Sequence, residues 1–288
     1  MEQIVKSLKP MALAVAAAVV FVLGTAFLIA SDATLTPSSL GASSDLAQAA
    51  RWLQFLAAAC AFATVCTVGW DLILRSEWAG GLEIAAAALG TLLITVGLLA
   101  AAASNGSSPA APVTGAVGIG IWALLVLSRA ARTSLEEKGT ANAGRPLESQ
   151  LWLATAVGLF VLAIGYGLTA AANSRGPAVV AGLLEAIGVA VLAGSVAAAR
   201  SRGWLRGPSV PAVLAGLFLL SASFLAAAIV AGLALGDLSA QGVGLGIVAA
   251  LELGAFVVLG LAAWTRLREL YALTSPGLGP AYRGQRVT

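Results

Sequence analysis

Two glutamates stand where carboxylates are rare. Glu252 lies eleven residues into an apolar run near 241–264, and Glu185 lies seven residues into another near 178–199. A carboxylate at the bilayer centre costs roughly 2.5–3.5 kcal/mol on insertion scales, so such a group belongs against protein or water. No Lys or Arg occurs at comparable depth to pair with either. Their chemistry as candidates is the binding of a proton or a small cation in a transport path. The plainer alternative is a neutral acid bonded to a neighbouring hydroxyl or backbone carbonyl. Gly182 and Gly188 lie three residues to either side of Glu185, on its own helical face, and would admit a neighbouring helix there.

Other polar groups are weaker candidates. Glu83 and Asp71 fall near helix ends, within reach of water, and Asp71 has Arg75 four residues on. Gln54, Thr91, Thr95, Tyr166, Ser221 and Ser223 would either line a path or bond back to the preceding turn of their own helix. Cys60 and Cys66 share one apolar run and read as small hydrophobes, not as a disulfide or a metal pair. Histidine is absent, which removes bis-histidine haem, most catalytic zinc and copper sites and the usual general base. There is no Walker A, HExxH, GxSxG or CxxC pattern and no cluster of aspartates. The expectation is a protein that is not an enzyme, with no cofactor, no metal and no nucleic-acid partner.

The elements that must hold these groups are set by composition. Of the 288 residues 59% are hydrophobic and 10% charged, with a mean hydropathy of +0.95. Soluble domains carry about 25% charged residues, so lipid must be part of this chain's solvent. A lipid span must satisfy its backbone internally, as a helix or a closed barrel. The apolar runs here are continuous and rich in Ala and Leu, with no alternation, which favours helices. Eight runs are long enough to cross about 30 Å of hydrocarbon. They lie near 11–31, 50–72, 79–103, 113–131, 151–171, 178–199, 210–235 and 241–264. The first resembles a signal peptide in its basic start, but its apolar stretch is longer than such segments carry.

Basic residues orient the spans. Fourteen of the sixteen Lys and Arg fall before the first run or after an even-numbered one; only Arg51 and Arg175 fall on the opposite side. This bias places both termini and the even loops in the cytoplasm of a cell (inner) membrane protein. Six of the seven tryptophans mark helix ends, as interfacial anchors do, and Trp122 alone lies further inside a span. Asn105-Gly106-Ser107 matches a glycosylation acceptor, but reads better as a turn.

The sequence also suggests a repeat. Val117-Gly118-Ile119-Gly120-Ile121 recurs as Val243-Gly244-Leu245-Gly246-Ile247 at a shift of 126, which also brings Trp78 onto Trp204. The expected organisation is a four-helix repeat over 1–132, a cytoplasmic linker over 133–150, a second repeat over 151–270 and a tail over 271–288. An even number of spans per unit makes the copies parallel. Neither deep acid is duplicated: at this shift Glu252 falls on Val126 and Glu185 on Ala59. Small residues at four-residue spacing form stripes for helix packing: Gly242, Gly246, Ala250 and Gly254 in the last span, and Gly232 and Gly236 in the one before.

The chain therefore reads as an all-α integral membrane protein of eight transmembrane helices in two parallel four-helix repeats. Three functional classes remain: a secondary transporter or channel for a small solute using Glu252 and Glu185, a non-catalytic subunit of a larger membrane complex, and, ranked last because histidine and any acidic motif are absent, a lipid-modifying enzyme. The expected partners are the lipid bilayer and either other membrane subunits or a second copy.

Overall fold

The computed structural model describes residues 13, 16–27, 30, 40–73, 78–104, 106–139, 148–171, 175–205, 207, 209–233 and 238–274. Every regular element among them is helical. In chain order these are α1 (Ala16–Phe27), α2 (Leu40–Ile73), α3 (Trp78–Ala103), α4 (Ala110–Gly139), α5 (Glu148–Leu168), α6 (Arg175–Ser201), α7 (Ser209–Leu233) and α8 (Leu238–Thr274). A single 3₁₀ turn, Thr169–Ala171, closes α5. Seven of the helices are long and apolar enough to cross a membrane; α1 is described over a shorter apolar stretch, and the rest of the run near 11–31 lies largely outside the described residues.

Burial inverts the pattern of a soluble protein. Among the described residues the buried apolar ones are fifteen alanines with Val189 and Val210, while Leu, Ile, Val and Phe side chains crowd the surface. Helices gain nothing from hiding leucine when the solvent is lipid, so small residues go inside and let backbones approach. On α6 the outward stripe is Val180, Leu183 and Ile187, and the inward one Ala181, Glu185, Ala186 and Val189. That helix is the most enclosed: 44% of its apolar window is buried, against 17–22% for the others.

The major contacts join each helix to the next in sequence, from α2 to α8. The rings of Phe21 and Phe256 meet edge to face at 4.4 Å, so α1 touches α8 as well. Glycine sets the closest crossings. In α3–α4, Gly90 faces Gly118 and Gly97 faces Ala111; in α5–α6, Gly158 faces Gly188 and Gly165 faces Ala181. A methyl on Gly118 would lie 2.5 Å from the Gly90 carbonyl oxygen, and one on Gly188 would lie 2.8 Å from that of Gly158. Each helix spaces its two contact residues seven apart, the repeat that keeps one face on a left-handed crossing partner. These contacts make the neighbouring hairpins α3–α4 and α5–α6 alike, at shifts of 68 (90 to 158, 97 to 165) and 70 (111 to 181, 118 to 188).

Helices outrun the apolar runs that mark them. α2 begins at Leu40, not near 50, and α8 continues to Thr274, not 264. Hydropathy marks where hydrocarbon is crossed, whereas helical hydrogen bonding continues into polar sequence. The same holds for the linker expected from 133: α4 runs on to Gly139. Its extra turns are tied down, because Arg132 pairs with Glu83 of α3 at 2.6 Å and the Thr133 hydroxyl donates to the carbonyls of Arg129 and Ala130.

Candidate functional site

The two deep acids lie within electrostatic reach of each other. Glu185 stands ten residues after Arg175, where α6 begins, and Glu252 fourteen after Leu238, where α8 begins. At about 1.5 Å per residue these are roughly 15 and 21 Å along their helices, inside the apolar stretch of each.

The surroundings of Glu185 are built by close packing. The residue is only 7% exposed, and no described residue hydrogen-bonds its carboxyl. Gly165 of α5 lies directly against it: a methyl there would sit 2.8 Å from the Glu185 backbone nitrogen and 2.9 Å from its Cγ. Gly182, one turn earlier, faces Ala228 and the Phe224 carbonyl of α7. Glycine on both sides thus lets α5 and α7 close around the acid. Tyr166 of α5 is also within electrostatic reach of Glu185, and its ring lies against Gly115 of α4.

α7 is fixed beside the pair by one polar contact. The Ser221 hydroxyl donates to the Ala186 carbonyl of α6 at 2.9 Å, next in sequence to Glu185. Hydroxyls of Thr91, Thr95 and Ser223 instead donate to their own helices, at the carbonyls of Ala87, Thr91 and Leu220. Ser221 therefore differs from these three, which sequence spacing does not reveal. Gln54 packs its Cγ near Gly24 of α1.

The remaining candidates separate from this centre. Glu83 belongs to the α3–α4 ion pair. Asp71 and Arg75 lie outside the described side chains and residues. Cys60 and Cys66 are free thiols, Cys66 exposed. Of the small-residue stripe on α8, Gly246 faces open space, Ala250 is exposed and Gly254 meets only Leu219 at 3.8 Å. Gly232 of α7 touches Val179 at an ordinary 3.5 Å. The Gly242 side-chain position and Gly236 lie outside what is described. The tight crossings expected from those stripes fall on Gly90, Gly97, Gly118, Gly158, Gly165 and Gly188, because close approach depends on the register of the partner's carbonyls and not on spacing within one helix. Gly106, in the turn expected around Asn105-Gly106-Ser107, has φ +80° and lies beneath the Arg51 guanidinium.

Two cavities lie apart from the acids. One, of about 500 Å³, is lined by Glu83, Ala87, Trp122, Arg129 and Trp152 among others. The other, of about 320 Å³, lies between α5, the end of α6 and the turn that follows. Neither reaches Glu185 or Glu252. No group of three metal-ligating side chains occurs among the described residues. Compared with known proteins, the chain matches no family model, no curated sequence and no solved structure.

Proposed function

We propose that this multi-pass membrane protein is a secondary transporter or channel for a small solute, with Glu185 and Glu252 as its proton- or cation-binding groups. The observation that supports the reading is that two carboxyls, each inside an apolar helix, lie within electrostatic reach of each other. Two carboxylates so placed in hydrocarbon would repel at low dielectric, so a proton or a cation held by one of them lowers the energy of the pair. Tyr166 supplies a hydroxyl at the same centre, and Ser221 keeps α7 in register with it. In this reading the spans number eight, the termini are cytoplasmic in a cell membrane, and the 126-residue shift marks two parallel halves. The chain itself performs no covalent chemistry.

The test is flux. Full-length protein in liposomes, with an internal pH indicator and an imposed potassium potential, is expected to pass protons or a cation at a rate abolished by Glu252→Gln and by Glu185→Gln. Infrared spectra of the carboxyl stretch, with Glu252→Gln as the blank, are expected to show that group exchanging its proton with bulk pH. A carboxyl band unmoved by pH, with flux equal in the glutamine variants, would overturn the proposal.

A second reading has its own support. Neither of the two cavities described reaches the acids, and on α8 Gly246 has no described residue within 4 Å of an added methyl while Ala250 is exposed. A structural subunit, packed through that face on another membrane protein or a second copy, fits both facts. It predicts co-purification of a stoichiometric partner and no flux from the isolated chain.

A further inference from the structure

The 320 Å³ cavity between α5 and α6 carries a specific set of walls. α5 opens with Glu148, and Glu148, Leu151, Trp152 and Thr155 share one face at helical spacing. Ser195, Val196 and Ala199 of α6 face them. The roof depends on how α6 ends. Gly203 takes φ +74°, its N–H donates to the Arg200 carbonyl, and the Trp204 N–H reaches back to the Ala199 carbonyl at 3.0 Å. These are the paired bonds of a Schellman cap, which reverses the chain at a glycine. The reversal brings Trp204 and Leu205 over the cavity.

The polar chemistry of the described walls has one sign. Among the described residues Glu148 is the sole ionisable side chain in the lining. Its Oε1 accepts the Trp152 indole N–H at 3.3 Å, which sets the carboxylate beside the ring. The Thr155 and Ser195 hydroxyl protons go to the carbonyls of Leu151 and Val191 at 2.8 and 3.0 Å, so these oxygens offer lone pairs inward. Two indoles add electron-rich π systems. The cavity thus presents acceptors and apolar surface, the environment that suits a cation with a hydrocarbon body.

We propose that this cavity binds an alkylammonium ion, its charged head at Glu148 between Trp152 and Trp204 and its alkyl part along Leu151, Val196 and Leu205. An anion meets the Glu148 carboxylate, and a neutral alkyl chain makes no contact that uses its charge. Neither Glu185 nor Glu252 lines the cavity, so the site stands apart from the proposed flux.

The experiment uses the full chain in uncharged maltoside micelles and hexyltrimethylammonium as the probe, followed by calorimetry and tryptophan emission. Saturable binding is expected, with no competition from 1-hexanol or hexanesulfonate. Glu148→Gln and Trp204→Leu are each expected to weaken it roughly 5- to 30-fold, as loss of one charge or one cation–π partner implies. Glu148 is exposed at the start of α5, so Glu148→Gln keeps the fold and carries the test if Trp204→Leu does not. In discs of choline-headgroup lipid, a weaker apparent affinity would assign the site to the lipid head, and an unchanged one to a free solute; both outcomes uphold the site. Non-saturable uptake, equal competition by 1-hexanol, or wild-type affinity in Glu148→Gln would overturn it.

Discussion

The α5–α6 crossing makes a signed prediction. In Gly188→Ala the new methyl would lie 2.7 Å from the Leu162 nitrogen, 2.8 Å from the Gly158 carbonyl oxygen and 3.0 Å from the Leu162 Cα. All three neighbours are backbone, so no side chain can rotate aside; α5 itself must move by several tenths of an ångström. Overpacking of this kind costs about 1–3 kcal/mol. Replacing glycine by alanine inside a helix returns up to about 1 kcal/mol through propensity. With rigid neighbours the upper part of the overpacking range applies, leaving a net loss of roughly 1–2 kcal/mol. Gly246→Ala is the control, because nothing lies within 4 Å of its methyl. Only the propensity gain of about 1 kcal/mol remains there, so the two variants should differ by about 2–3 kcal/mol with opposite signs. Reversible unfolding of the full chain in mixed micelles, read as the midpoint in dodecyl sulfate, measures both. A Gly188→Ala midpoint at or above wild type, or a Gly246→Ala midpoint below that of Gly188→Ala, would refute the assignment of α5–α6 as the tight crossing.

Two further outcomes follow from single contacts. Ser221→Ala removes the α7-to-α6 hydrogen bond and is expected to cost about 0.5–1 kcal/mol in the same unfolding assay, typical of hydrogen bonds between membrane helices; a wild-type midpoint would show that this bond does not hold α7. Arg132→Gln removes the ion pair with Glu83, whose side chains are 49% and 36% exposed, so solvent screening limits the loss to below about 1 kcal/mol and salt should shrink it further. A larger, salt-independent loss would place that pair in a far less polar setting than its exposure implies.

Much of the architecture is legible in the sequence because one rule dominates it. Continuous Ala- and Leu-rich runs must be helical in lipid, and seven spans lie where such runs occur. The habit of Ser and Thr of bonding to their own helix is equally readable, at Thr91, Thr95 and Ser223. What the sequence hides is register between helices. Gly246 and Gly188 look alike in their own helices, yet one faces open space and the other a carbonyl. Ser221 and Ser223 are two residues apart, and only Ser221 reaches another helix. Glu185 and Glu252 are 67 residues apart on separate helices, and no spacing in the sequence shows that they lie within electrostatic reach of each other. The α5–α6 cavity is invisible for the same reason: Trp152 and Trp204 read as separate interfacial anchors until the Gly203 cap brings the second over the first.

The interior of alanine and the coat of leucine, isoleucine and valine imply a mutational map turned inside out. In a soluble protein the largest side chains are the least replaceable. Here an outward position such as Leu183 or Ile187 asks only for an apolar group that lipid accepts, and the aliphatic residues should exchange there freely. An inward position such as Ala181, Ala193 or Ala255 leaves space for one methyl, and every larger residue must push neighbouring helices apart. Evolution of this chain can therefore proceed quickly across its surface while its centre stands nearly still, so that two diverged descendants would share little but their smallest residues.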